Sequence, residues 1–310
     1  MKAVRIHEFG GADVMRLEEL PRPEPGAGEV LIQVRAASLN PVDYKTREGK
    51  YPLVKADALP VTLGRDVAGV VAKLGPGVAD MPVGDEVYAL LPNDRGGFAE
   101  WVAAPASICA AKPTSLDMVQ AASVPLAALT AWQGLFTYGG LENGQRVLIH
   151  GGSGGVGSFA VQFARDKGAE VYATASANNR AYVEGLGAAR VIDYHGERFE
   201  DLVHGLDLVY DLIGGETEER SWQVLKRGGR LISTVQQPDA GRATEAGVTA
   251  RRYTAEPNGG QLIEIARLID AGQVKVRIDK VFPLERAVQA ERRLQEDHVT
   301  GKIVLEVAKG

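Results

Sequence analysis

The run Val147-Leu148-Ile149-His150-Gly151-Gly152-Ser153-Gly154-Gly155-Val156-Gly157, continued by Ser158-Phe159-Ala160-Val161-Gln162-Phe163-Ala164, constrains this chain more than any other segment. It reads as a buried strand, a glycine turn and a helix, in that order. Gly152, Gly154 and Gly157 have the G-x-G-x-x-G spacing, with Ser153, Gly155 and Val156 between them. Such a turn brings backbone N–H groups and a helix N-terminus up to a pyrophosphate. The spacing alone is a weak signal. The strand before it and the helix after it are the context that makes it a dinucleotide-binding motif.

The rest of the chain falls on either side of this unit. Up to about residue 120 it reads as strands and turns, with strand candidates at 30–36, 68–74, 86–90 and 98–102 and turn signals at Gly75-Pro76-Gly77 and Pro82-Val83-Gly84-Asp85. This is the pattern of an antiparallel, barrel-like region. A helical stretch begins near Asp117 and is interrupted by Pro125. From residue 147 strands alternate with helices. The strand candidates are 147–150, 170–175, 189–193, 206–211 and 229–234, a βαβ rhythm that predicts a parallel sheet. Residues 236–254 are polar and resist assignment. Apolar periodicity predicts helices at 261–271 and 285–296, and a last strand at 301–307 returns to the first region.

Composition excludes several classes. The net charge of −5, with no basic stripe, speaks against a nucleic-acid partner. No apolar run approaches the roughly 18 residues that would cross a bilayer, and the first eight residues have no signal-peptide character. The chain has one cysteine, Cys109, so no internal disulfide forms, which fits a reducing compartment. The expectation is a cytoplasmic protein with no membrane partner.

The adenosine end of the dinucleotide is read about 20 residues beyond the turn, at the end of the next strand. Counting from Gly154 gives Thr174, within Tyr172-Ala173-Thr174-Ala175-Ser176-Ala177-Asn178-Asn179-Arg180. An acidic residue there would bond both ribose hydroxyls and repel a 2′-phosphate. This stretch has none. Thr174 and Ser176, followed by Arg180, suit a phosphate, because a guanidinium meets phosphate with charge and fork geometry. The cofactor predicted is NADPH. Two readings of Arg180 stay open: direct phosphate contact, or a solvated residue opening a helix.

Several separate motifs in fixed order place these residues in a longer pattern. They are Ala37-Ser38-Leu39-Asn40-Pro41-Val42-Asp43, Gly64-Arg65-Asp66-Val67-Ala68-Gly69-Val70-Val71, Gly84-Asp85-Glu86-Val87-Tyr88, Pro125-Leu126-Ala127-Ala128-Leu129-Thr130-Ala131-Trp132, the glycine turn, and Thr300-Gly301-Lys302-Ile303-Val304-Leu305. Over nearly its whole length the chain resembles the zinc-independent medium-chain dehydrogenases/reductases, in the quinone oxidoreductase and alkenal/enone oxidoreductase group. The resemblance implies an α/β protein: a GroES-like, β-rich catalytic domain over 1–120, completed by 256–310, and a Rossmann NADPH-binding domain with a doubly wound parallel sheet over 121–255. Relatives are commonly dimers or tetramers, and a homodimer is expected.

Zinc-dependent relatives place a cysteine where this chain has Asn40, a histidine at Arg65 and an acidic residue at Asp66. Asn40 and Arg65 are not zinc ligands, and an arginine repels a cation. The four clustered cysteines of the family's structural-zinc lobe are missing. His7, His150, His195, His204 and His298 lie far apart in sequence and read as surface or packing residues. No metal is expected. Without one, alcohol oxidation is hard, while hydride delivery to a quinone or to the C=C bond of an α,β-unsaturated carbonyl needs chiefly positioning and a donor at the oxygen that becomes anionic.

The resemblance puts Asn40, Tyr44, Lys45 and Tyr51 in one loop lining the substrate cleft, and Asn40, Lys45 and Tyr51 are the catalytic candidates. Lys45 departs from the tyrosine usual in quinone reductases and resembles the plant enone/alkenal reductases; a solvated loop cation is its other reading. Thr130 falls where the family contacts the nicotinamide end, although a hydroxyl bonded back to its own helix is the alternative. Tyr194 falls where NADPH relatives hold the adenosine phosphate, whereas the lysine they use there corresponds to Asn179. Gly214, after the fourth strand, lets backbone approach the cofactor or simply forms a turn. The rival to a reductase is a nucleotide-binding redox sensor or structural protein with little turnover. It would keep the glycine turn without needing a substrate loop.

Overall fold

The computed structural model describes residues 1–296 and 299–308, so His298 lies outside the described residues. The chain divides into two compact units. One comprises Met1–Leu126, Glu256–Gly272 and Val276–Gly310; the other comprises Ala127–Ala255 and Gln273–Lys275.

The first unit opens with strands β1 (Lys2–Ile6), β2 (Arg16–Glu19) and β3 (Glu29–Ser38). Helix α1 (Pro41–Arg47) follows directly. This corrects the expectation of a loop at Asn40 to Tyr51. Pro41 sits in the first turn, where its missing N–H is no loss, and the Asp43 carboxylate accepts the Asn40 N–H at 2.7 Å, closing the N-terminus. Strands β4 (Val61–Thr62), β5 (Asp66–Leu74), β6 (Glu86–Leu90), β7 (Trp101–Pro105) and β8 (Cys109–Ala111) complete the β-rich part. Helix α2 (Met118–Ala122) is capped by Asp117, whose side chain accepts the Gln120 N–H. Helix α3 (Pro125–Trp132) then leads into the second unit.

In the second unit six strands form one wholly parallel sheet: β9 (Arg146–Ile149), β10 (Glu170–Ala175), β11 (Arg190–Asp193), β12 (Leu206–Asp211), β13 (Leu225–Ser233) and β14 (Thr249–Arg252). Their order is β11-β10-β9-β12-β13-β14, the doubly wound arrangement with a switch point between the first and fourth strands. Helices α4 (Gly155–Asp166), α5 (Arg180–Gly185), α6 (Glu216–Ser221) and α7 (Ala240–Ala246) connect it. The unassigned stretch 236–254 thus contains a helix and the edge strand. Its pattern is obscure because β14 lies at the margin, with three of its four residues exposed, so no apolar alternation marks it. Strand β13 also begins earlier than residue 229, at Leu225, and its register with β12 shifts between the Leu206–Leu225 and Leu208–Arg230 pairs.

The chain returns to the first unit through α8 (Gly259–Asp270), β15 (Ile278–Pro283), α9 (Ala287–Glu296) and β16 (Lys302–Glu306). Strand β16 pairs with Ala36 to Ser38 of β3, extending the large sheet to β15-β16-β3-β5-β6-β8, with β7 also on β3. Ile303 and Leu305 join Ile32, Val34, Val67 and Phe98 in its core. Among the described residues no helix is long and apolar enough to cross a membrane.

Candidate active site

Backbone geometry explains the glycine turn. Gly151, just ahead of the motif, has φ +78°, a left-handed conformation that costs glycine little. A Cβ on Gly157 would lie 2.1 Å from the Gly151 carbonyl oxygen, so only glycine fits there. A Cβ on Gly154 would meet nothing nearer than 3.5 Å. Nothing in the protein requires glycine at 154; the open space above it is where a ligand would approach. Gly154 caps α4, whose first backbone N–H groups have no partner within the helix.

Thr174 is turned into the protein. It is 4% exposed, and its hydroxyl accepts the Gly151 N–H at 3.1 Å. It also contacts His150 Nδ1 at 3.3 Å. On its other side His150 Nε2 lies 3.0 Å from Ser221 Oγ, whose own proton goes to the Thr217 carbonyl at 2.7 Å. Ser221 must therefore accept, which puts a proton on His150 Nε2. The count from Gly154 thus reaches β10 at a side chain that points into the unit and braces the turn.

Burial pushes the His150 pKa down from 6.5 to about 4. A depressed histidine contributes stability above its unfolded pKa and loses it as pH falls from about 6.5 to 4, up to roughly 3 kcal/mol. Urea unfolding at pH 7 and pH 4.5 should show a smaller acid-induced loss in His150→Asn than in wild type. Equal losses would mean that His150 is not buried neutral.

Beyond β10, three small polar side chains meet. Asn179 Nδ2 lies 3.4 Å from Ser153 Oγ and 3.3 Å from Ser176 Oγ. The structure thus unites the Ser153 of the turn with Ser176, and Asn179, not among the predicted site residues, is the link. Tyr194 is 46% exposed, with its ring 4.4 Å from that of His195. Arg180 is anchored on one side and remains 39% exposed. It donates from Nη1 to the Val191 carbonyl at 2.6 Å and from Nη2 to Glu197 at 2.7 Å. Past β12, Asp211 Oδ1 accepts the N–H groups of Ile213 and Gly214, and Gly214 has φ +76°. Thr130 is buried in α3, and its carbonyl accepts the hydroxyls of Tyr210 at 3.0 Å and Tyr253 at 2.5 Å.

The first unit holds a second polar centre, buried at the start of α1. Asp66 Oδ2 accepts Ser38 Oγ–H at 2.7 Å and Asn40 Nδ2–H at 2.8 Å, while its Oδ1 accepts the Leu126 N–H at 2.7 Å. The ammonium of Lys302 donates to the Leu39 carbonyl at 2.9 Å and to Asn40 Oδ1, and stands 3.6 Å from Asp66. The other Asn40 amide hydrogen faces the Ser38 carbonyl at 3.4 Å. Asn40 is 2% exposed and spends both donors and its acceptor inside this network. Its polar atoms are thus engaged within the protein, whereas the resemblance puts Asn40 in the lining of the substrate cleft. Burial lowers the Lys302 pKa and raises that of Asp43 to about 8.

The chain turns back after α1, so that the Lys50 and Tyr51 N–H groups both donate to the Lys45 carbonyl, at 2.8 and 3.1 Å. Lys45 is exposed, Tyr44 half-buried and Tyr51 buried. The helix is anchored by Arg47, 2.5 Å from Glu291 and 2.9 Å from Gln295, both on α9. Arg65 turns to the Leu91 carbonyl at 2.7 Å and to Asn93. Among the described residues no three His, Cys, Asp or Glu side chains gather as a metal site would require. A cavity of about 540 Å³, bordered by Arg5, Leu53, Arg95 and Trp101, is lined by none of Asn40, Lys45 and Tyr51.

Comparison with known proteins agrees with this two-part architecture. A family profile described as "Alcohol dehydrogenase GroES-like domain" matches residues 26–114, and one described as "Zinc-binding dehydrogenase" matches 186–305. The chain is 38% identical to the NADPH-dependent alkenal/one oxidoreductase, chloroplastic, of Arabidopsis thaliana, covering 98% of this chain and 79% of that one. It is 36% identical to the 2-methylene-furan-3-one reductase of Solanum lycopersicum, with the same coverage. The solved quinone oxidoreductase from Coxiella burnetii superposes with a TM-score of 0.91 at 37% identity over 99% of both chains. The chain belongs to the medium-chain dehydrogenase/reductase family. Within it, the chain stands with the quinone and alkenal/enone oxidoreductases.

Proposed function

We propose that this protein is an NADPH-dependent reductase that delivers hydride to a quinone or to the C=C bond of an α,β-unsaturated carbonyl, without zinc. The observation that carries the reading is the glycine cradle: Gly154 opens onto empty space, and the polar set beyond β10 is Ser153, Asn179 and Ser176, with no carboxylate among them. A pyrophosphate fits the first and a 2′-phosphate the second. The alkenal/one relative is itself NADPH-dependent by name.

The second unit is the cofactor domain and the first the catalytic domain. Ser153, Gly155, Val156 and Gly157 supply backbone N–H groups to the pyrophosphate; Ser176, Asn179, Arg180 and Tyr194 border the adenosine phosphate; Thr130 serves the nicotinamide end, and Gly214 lets backbone approach the cofactor. Bound NADPH supplies a hydride. The exposed ammonium of Lys45 stabilises the carbonyl oxygen of an enone as it gains the electron pair, and Tyr51 shapes the same wall. Asn40 positions α1 through Lys302 and Asp66. The carbon beside the carbonyl takes its proton from water. The protein works as a homodimer in the cytoplasm.

Initial rates with NADPH and NADH against quinones, enones, alkenals and alcohols, with and without a chelator, test this. NADPH oxidation by a quinone or an enone, unaffected by chelator, is the expected result. For an enone acceptor, Lys45→Met should lower kcat/KM by roughly 10–100-fold. Alcohol oxidation that collapses on chelation would overturn the reading, and tight NADPH binding with no acceptor would favour a sensor.

A further inference from the structure

Arg180 opens α5, immediately after Asn179, and its side chain remains 39% exposed. Of its five N–H donors one is given to the Val191 carbonyl of β11 and one to Glu197. The remaining three make no hydrogen bond among the described residues. Glu197 is fixed as well as charged: the oxygen that accepts Arg180 also accepts the Asp193 N–H at 2.8 Å. These bonds keep its carboxylate ionised, below the ordinary carboxylate range. Asp193, at the end of β11, lies beside Ala175 at the end of β10, so the pair sits at the same sheet edge as Ser176.

From this geometry we infer that Glu197 is a specificity-determining residue: an internal carboxylate that partly neutralises Arg180 and so moderates the preference for a 2′-phosphorylated dinucleotide. The inference rests on the reading of this site as an NADPH site. An uncompensated arginine would bind the phosphate with full charge; a paired one binds it with its spare donors but against the repulsion of Glu197. Arg190 is the other cation acting on Glu197, and the Asp193 carboxylate is turned to the His195 N–H at 3.2 Å.

The test is direct binding, read from the fluorescence of the reduced dinucleotide on the whole protein, for NADPH and NADH separately. Glu197→Gln keeps an oxygen for the Asp193 N–H and removes the charge. It should tighten NADPH by roughly 5–20-fold and leave NADH within about twofold, and the gain should shrink as salt rises from 0.05 to 0.5 M in order-of-magnitude steps of screening. Arg180→Met should weaken NADPH and abolish the effect of a second substitution at 197. Unchanged or weaker NADPH binding in Glu197→Gln, with wild type still binding both dinucleotides, overturns the inference and leaves the site reading intact. Wild-type protein that binds neither dinucleotide removes both. If Glu197→Gln does not fold, Glu197→Ala and the NADPH-to-NADH ratio of Arg180→Met read the same coupling.

Discussion

Gly154→Ala is expected to weaken NADPH binding about a hundredfold while costing the folded protein only about 1 kcal/mol. The reason lies in two glycines three residues apart. At 154 the backbone has φ −75° and ψ 175°, which alanine adopts readily, and the added methyl meets no protein atom closer than 3.5 Å. The methyl would stand where a pyrophosphate must come close to the helix N-terminus. At 157 the added methyl lies 2.1 Å from the Gly151 oxygen and 2.8 Å from its carbonyl carbon, both backbone atoms. Gly157→Ala should therefore lose about 1–3 kcal/mol of stability as well as binding. Parallel measurement of urea midpoints and NADPH dissociation constants separates the two. A Gly154→Ala protein that binds NADPH like wild type would mean that the dinucleotide lies elsewhere.

Lys302→Met should remove roughly 3–5 kcal/mol from the unfolding free energy of the first unit. Lys302 is 5% exposed and Asp66 fully buried, so the substitution leaves a carboxylate in the interior without its cation. It also strips the Leu39 carbonyl and Asn40 Oδ1 of their donor. The exposed Lys55, changed to Met, should stay within about 0.5 kcal/mol of wild type. The check is denaturant unfolding followed by far-UV circular dichroism. A loss for Lys302→Met no larger than that of the Lys55 control would show that the buried network is held by its neutral bonds alone.

Lys302 also shows where reading the chain stops. It lies in Thr300-Gly301-Lys302, a recognisable segment, yet its partners Leu39 and Asn40 are more than 260 positions away. Only the pairing of β16 with β3 brings them together. The signal in Asn40-Pro41-Val42-Asp43 was local and legible: a capping asparagine, a proline in the first turn and an acid at the third helical position together mark a helix start. Arg180 and Glu197 are 17 positions apart on different elements, and no sequence pattern announces their bond.

The strand–turn–helix unit, the parallel alternation behind it and the lack of an acidic residue after β10 were determined by the sequence alone. Each depends on neighbours within a few residues, through glycine's freedom, strand periodicity and helix capping. Which side chains face a ligand was decided by the tertiary structure. Thr174 turned inward to brace Gly151, Asn40 was absorbed by Lys302 and Asp66, and Arg180 acquired a carboxylate. A donor's availability depends on whether a distant partner has already taken it, and that partner is chosen by sheet pairing and burial.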